Sequence, residues 1–144
     1  MAVGFQVTVD CADPDLLARF WAQALDYQLQ PPPPGFASWP EFLAAQGVPE
    51  AQWTARAAAV DPGGPGPRLL FQRVPEPKAV KNRVHLDLNV GGGAQVPAPE
   101  RRARVAAVVE RLVELGASRL HDVEEQGEHW VVMQDPEGNE FCVQ

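Results

Sequence analysis

Reactive side chains crowd the end of the chain, Met133-Gln-Asp-Pro-Glu-Gly-Asn-Glu-Phe-Cys-Val-Gln144. Carboxylates beside a thiol could serve acid–base, nucleophilic or metal chemistry. The spacing assigns some of them a different task. Asp135, Pro136 and Gly138 are turn-formers, because Asp accepts backbone hydrogen bonds, Pro pre-sets φ and Gly tolerates positive φ. Glu137 belongs at the solvated tip. In the strand that follows, Glu140, Cys142 and Gln144 share one face, opposite Phe141 and Val143. A nucleophilic Cys142 would need a base and a depressed pKa, neither of which the sequence supplies, so a buried thiol is expected.

A second set lies in Arg83-Val-His-Leu-Asp-Leu-Asn-Val90, which alternates strictly. Val84, Leu86, Leu88 and Val90 point one way and His85, Asp87 and Asn89 the other. His85 could be a metal ligand, a general base or a hydrogen-bond donor to a ligand. It could equally be a half-buried histidine satisfied by Asp87 or Gln6. His121 and His129 read as surface or rim residues.

These groups need elements to position them. Phe5-Gln-Val-Thr-Val-Asp10 alternates as a strand with one polar face. Asp13-Pro14 then caps a helix whose stripe is Leu17, Phe20, Trp21, Ala24 and Leu25. A stiff proline run follows, and Ser38-Trp-Pro-Glu41 is a capping box opening a short helix that Gly47 ends. Trp39 and Trp53 flank that helix, either as a lid over a ligand or as pins holding the insert to the sheet. Residues 54–61 and 68–74 read as strands about a turn at 61–67. Beyond the linker the pattern restarts with the His85 strand. A helix follows with Val105, Val108, Val109 and Leu112 on one stripe and Gly116 at its end, and then the strand His129–Gln134. The two turns match as well, AVDPGGPGPRLLFQ against VMQDPEGNEFCVQ. That internal repeat predicts two similar modules, each with a helix on one sheet face and a polar face lining a concave pocket.

Composition bounds the function. At 144 residues the chain fits one domain of two repeats. A net charge of −7 argues against a nucleic-acid partner, whose phosphates need clustered Lys and Arg. Arg68, Arg73, Lys78, Lys81 and Arg83 form a local basic stretch, which could attract an anionic substrate but reads first as a solvated linker partly balanced by Glu76. No apolar run nears the ~20 residues that span a bilayer. The start, MAVGFQVTVD, lacks a signal-peptide pattern, so a cytoplasmic protein with Cys11 and Cys142 reduced is expected.

The pieces VDCADPDLLARFWAQAL, DPGGPGPRLLFQRVPEPKAVKNRVHLDL and DPEGNEFCV, in this order over nearly the whole chain, resemble the vicinal oxygen chelate superfamily. That superfamily includes glyoxalase I, extradiol dioxygenases, fosfomycin-resistance enzymes and bleomycin-binding proteins, and the match is closest to its glyoxalase-like branch. The resemblance implies an α+β fold: two βαβββ modules, at 5–74 and 82–144, forming a curved mixed sheet around a cleft, with a proline-rich helical insert at about 30–53. In metal-using members of this kind, ligands come from the first and last strands of each module. Superposing the repeats gives Gln6 and His85 from the first strands, sharing one hollow, and Gln72 and Cys142 from the last. Glutamate is usual where Cys142 stands. Glu140 lies on the same face, nearer the turn, and reaches the pocket rim; Thr8 and Asp87, paired by the repeat, add polar contacts.

Gln6, Gln72, His85 and Cys142 suit Mg²⁺ or Mn²⁺ poorly, because hard ions want carboxylate oxygens. Zinc or nickel would accept His85 and a Cys142 thiolate, with Gln6 as weak company. The expectation is therefore no resident cofactor, or a weakly held divalent metal, and no true glyoxalase I activity. A homodimer binding a small organic molecule is implied, with His85 as the acid–base candidate. Alternatives are a drug-sequestering binder of bleomycin-resistance type, suited by its acidity to cationic drugs, and a metal-dependent lyase or dioxygenase.

Overall fold

The computed structural model describes residues 1–144 and divides into two compact units, Met1–Pro77 and Lys78–Gln144. The first runs β1 (Val7–Cys11), α1 (Pro14–Ala24), β2 (Gln28–Leu29), α2 (Trp39–Ala45), a 3₁₀ turn at Glu50–Gln52, β3 (Arg56–Val60) and β4 (Leu69–Arg73). The second runs β5 (Leu86–Leu88), α3 (Ala98–Glu114), β6 (Ser118–Glu125), β7 (Glu128–Gln134) and β8 (Glu140–Val143). The fold is α+β. Each unit is a βαβββ module with its own four-stranded mixed sheet, ordered β1-β4-β3-β2 in one and β5-β8-β7-β6 in the other.

In the first unit β1 and β4 run parallel, and the other pairs are antiparallel. Asp13 caps α1, its carboxylate accepting the Leu16 N–H at 3.1 Å. The expected stripe packs inward: α1 lies on β3 and β4, with Leu17, Phe20, Trp21, Ala59, Leu69 and Phe71 all buried. In the insert, the Ser38 hydroxyl accepts the Glu41 N–H while the Glu41 carboxylate accepts the Ala37 N–H, one residue before the cap. The Trp39 indole donates to the Gln30 carbonyl at 2.8 Å and Trp53 to the Val48 carbonyl at 2.9 Å. Trp39 thus ties α2 back to the end of β2. In the turn before β4, a Cβ on Gly66 would lie 2.0 Å from the Tyr27 hydroxyl, so that position has no room for a side chain.

In the second unit α3 covers β6, β7 and β8. Val105, Val109 and Leu112 meet Leu88, Val131, Met133, Phe141 and Val143 in a core where each is nearly or fully buried. Gly116, at φ +109°, ends the helix, as the Gly116 and Ala117 N–H groups return to the Val113 and Leu112 carbonyls.

Four elements differ from the sequence reading, the first being β2, which stands where only the start of the proline connector is expected. β5 is only Leu86–Leu88, because residues 83–84 bend; Val84 is therefore exposed rather than part of the apolar face, and His85 stands just before the strand. β1 likewise begins after Gln6. β6 has no counterpart in the pattern, since Ser118–Glu125 is an edge strand without a buried residue and with a register shift between Arg119 and His121.

Candidate functional site

The terminal turn is a hydrogen-bonded knot around one side chain. Asp135 is buried, and its carboxylate accepts the Glu137 N–H at 2.9 Å, the Asn139 N–H at 3.0 Å and the Asn139 side-chain amide. Gly138 takes φ +85° and closes onto the Asp135 carbonyl. The knot fixes where β8 starts. That start sets the register with β5, which places Asp87 opposite Cys142.

On the polar face of this sheet, His85, Asp87 and Cys142 converge. Nε2 of His85 lies 3.4 Å from Oδ1 of Asp87, and one donor atom from each of the three residues falls within 4.8 Å of the others. His85 and Asp87 are about half exposed, at 47% and 48% of their side chains, while Cys142 is buried beneath them. Burial, then the Asp87 charge and the hydrogen bond to Asp87, with a smaller push from Glu140, raise the thiol pKa to about 11. Cys142 is a neutral thiol at physiological pH, and nothing in this setting activates it as a nucleophile.

Glu140 precedes Cys142 on the same face and is held in an ion pair with Lys81. That hydrogen-bonded ammonium, opposed by burial and helped by the charges of Lys78 and His85, holds the carboxyl below its ordinary range. Asn82 reinforces the arrangement, its side-chain oxygen accepting the Glu140 N–H at 3.1 Å. In the sequence Lys81 figures only as part of the basic stretch and Asn82 not at all, because both belong to the linker and meet β8 only after folding. In the basic stretch Lys78, Lys81 and Arg83 of the linker are exposed, whereas the two arginines at β4 are held by neighbours. Arg68 binds Gln30 and Gln6, and Arg73 binds Thr54 and the Ala12 carbonyl.

The first unit shows what the repeat conserves and what it does not. Asp10 pairs with Gln72, whose amide donates to its carboxylate at 2.7 Å. In the second unit Gln144 donates to Asn89 at 2.8 Å from the equivalent place. Thr8 sits opposite Leu70 just as Asp87 sits opposite Cys142. The repeat equivalent of Cys142 is therefore Leu70, and that of Gln72 is Gln144. This corrects the pairing of Gln72 with Cys142, which slipped by one pleat. Gln6 remains exposed beside Thr8 and Arg68.

His129, read as a surface or rim residue, is mostly covered and stands at a cavity wall. Its side chain is only 14% exposed and contacts Asp122 across β6 and β7, with Nδ1 buried and without a hydrogen-bond partner. His129 helps line a separate cavity of about 450 Å³, with Gly91–Gly93, Arg101 and Arg102. Arg101 and Arg102 are ion-paired with Glu128 and Glu124; Asn89 and Gln144 of the polar face also line that cavity, while His85, Asp87, Glu140 and Cys142 do not.

Residues 6–144 match the glyoxalase-like domain family. The chain belongs to that family. No curated protein is detectably similar in sequence. Among solved structures, this glyoxalase-like chain is similar to a glyoxalase/bleomycin resistance protein/dioxygenase family enzyme from Burkholderia phytofirmans, with 15% identity, TM-score 0.61, and 96% of this chain and 94% of that one covered. It is also similar to a variant of the fosfomycin resistance protein FosX from Listeria monocytogenes, with 12% identity, TM-score 0.62, and coverage of 100% and 90%. That FosX was solved with Mn(II) and 1S,2S-dihydroxypropylphosphonic acid. At these identities the likeness establishes the fold.

A manganese-type site does not fit the residues present in the second unit. Mn(II) favours oxygen donors, whereas the cluster offers one imidazole, one carboxylate and one thiol. Glu140, the nearby second carboxylate, is engaged by Lys81.

Proposed function

We propose that this glyoxalase-like protein binds a small organic molecule against the polar face formed by His85, Asp87 and Glu140, and that His85 is the group exchanging protons or hydrogen bonds with it. One observation carries the reading: an exposed imidazole and carboxylate 3.4 Å apart, seated over a buried thiol. With Nε2 turned to Asp87, Nδ1 is the ring atom left for a ligand, and the adjacent carboxylate restrains the ring. Cys142, held as a thiol, supports the face without attacking the ligand. Lys81 beside Glu140 limits the negative charge a ligand meets.

The second reading is a non-catalytic binder of cationic drug-like molecules, favoured by the protein's net charge of −7. A thermal-shift panel of anionic, neutral and cationic small molecules, phosphonates included, separates the two. It is run on the full chain in chelator and then with added metals. Under the leading reading a stabilising compound loses its effect in His85→Ala and is chemically altered by the wild-type protein. Cationic compounds that stabilise both proteins equally and emerge unchanged would establish the binder instead.

A further inference from the structure

We propose that the second unit carries a further binding site, apart from His85, for a planar aromatic carboxylate with a hydroxyl or amino group on its ring. The site is the cavity of about 450 Å³ bounded by the first turn of α3, the start of β7 and the loop at Gly91–Gly93. That volume falls within the ~300–1,000 Å³ of small-molecule pockets. His85, Asp87, Glu140 and Cys142 do not line it, so the site goes beyond the function proposed above.

Three wall residues define the ligand. Arg101 is the more enclosed cation, its side chain 23% exposed against 48% for Arg102. Its partner Glu128 makes a single contact, at 3.3 Å, from a side chain that is 64% exposed. An exposed pair of that kind holds weakly. A planar carboxylate can instead meet the guanidinium through two parallel hydrogen bonds, the geometry that Arg favours. It also replaces one negative charge by another, which neither a phosphate dianion nor a neutral amide would do. Trp130 gives the wall an aromatic side chain and Val105 an aliphatic one, so the uncharged part of the ligand is a flat ring. The three glycines leave the loop wall without side chains.

His129 decides the remaining group. Its Nε2 lies 3.2 Å from the Asp122 carboxylate, which can only accept, so the proton sits on Nε2 and Nδ1 is an acceptor. Nδ1 is buried and has no hydrogen-bond partner. Leaving such an atom unpaired is costly, and a donor on the ligand relieves the cost. Because Nδ1 is covered, the imidazole tilts toward the cavity to receive that hydroxyl or amino group.

The test follows backbone-amide and indole NMR shifts of the full-length protein during titration with anthranilate, benzoate or anthranilamide. The expected result is saturable anthranilate binding with shifts centred on Gly92, Gly93, Arg101 and the Trp130 indole. Benzoate, which lacks the donor, binds about 2–10-fold more weakly, and uncharged anthranilamide at least about 10-fold more weakly. Arg101→Gln weakens anthranilate by ~10–100-fold. Glu128→Gln frees Arg101 and tightens it by up to about five-fold, a gain that no folding defect produces. Shifts centred on His85 and Cys142, no saturable shift, equal binding of anthranilate and anthranilamide, or no gain in Glu128→Gln would overturn the site. His85→Ala should bind anthranilate as wild type does, so failure here leaves the polar-face reading standing, and failure of that reading leaves this site intact.

Discussion

Alkylation kinetics give direct access to the environment of Cys142. A thiol with its pKa at about 11 is roughly 0.1% thiolate at pH 8, whereas a free cysteine at ~8.5 is about 24% ionised. Since only the thiolate attacks iodoacetamide, Cys142 should react some two orders of magnitude more slowly than free cysteine, before any further slowing from burial. Asp87→Asn removes the charge and weakens the acceptor that hold the proton on sulfur, so it should accelerate labelling; Lys81→Ala removes an opposing positive charge and should slow it. The assay is timed labelling of native protein followed by peptide mass mapping, which resolves Cys142 from Cys11. Burial without the Asp87 contact would also be slow, so the decisive result is the variant. If Asp87→Asn leaves the rate unchanged, or wild-type Cys142 labels as fast as free cysteine, the thiol–carboxylate contact is wrong.

Two further predictions concern the frame of the site. Asp135→Ala leaves the Glu137 and Asn139 N–H groups without their acceptor and should lower the stability of the full chain by about 2–4 kcal/mol in urea denaturation, while Glu137→Ala should stay within about 0.5 kcal/mol. Equal effects would mean that the turn is not built around Asp135. Lys81→Ala should raise the Glu140 pKa toward the ordinary carboxylate value, read by NMR titration of its carboxyl carbon. The sign follows: a carboxyl depressed in the folded state adds stability above its unfolded pKa and loses it as pH falls through the folded one, so the variant should lose less stability on acidification.

The legible part of this fold is the part whose burial is periodic. Leu17, Phe20 and Trp21 on α1, and Val105, Val109 and Leu112 on α3, announce one buried face each, and both faces pack on their sheets. The capping box at Ser38 and the Asp135 turn are local chemistry, readable within four residues. β6 escaped because an exposed edge strand has no apolar alternation to display, and its bulge breaks the period further. Asp87 against Cys142, Lys81 against Glu140 and Asn82 against the Glu140 backbone join residues more than fifty positions apart. Only strand register decides such contacts, and a two-residue slip in the repeat alignment was enough to put Gln72 where Leu70 belongs.

That slip bears on the chemistry. Both modules keep the same polar clasp at one pleat, Asp10 with Gln72 and Asn89 with Gln144, which ties first strand to last irrespective of any ligand. One pleat nearer the start of the last strand the modules diverge: Thr8 faces Leu70, which has no donor atom, while Asp87 faces Cys142, which has a thiol. A duplicated frame that keeps its clasp in both copies and its carboxylate–thiol pair in only one presents different groups from its two modules. The first unit's candidates, Gln6 and Thr8, are neutral and bonded to each other, and Gln6 is further held by Arg68. On the proposed reading, proton exchange therefore belongs to the second unit, and Gln6→Ala or Thr8→Ala should leave the chemical alteration of a bound compound unchanged.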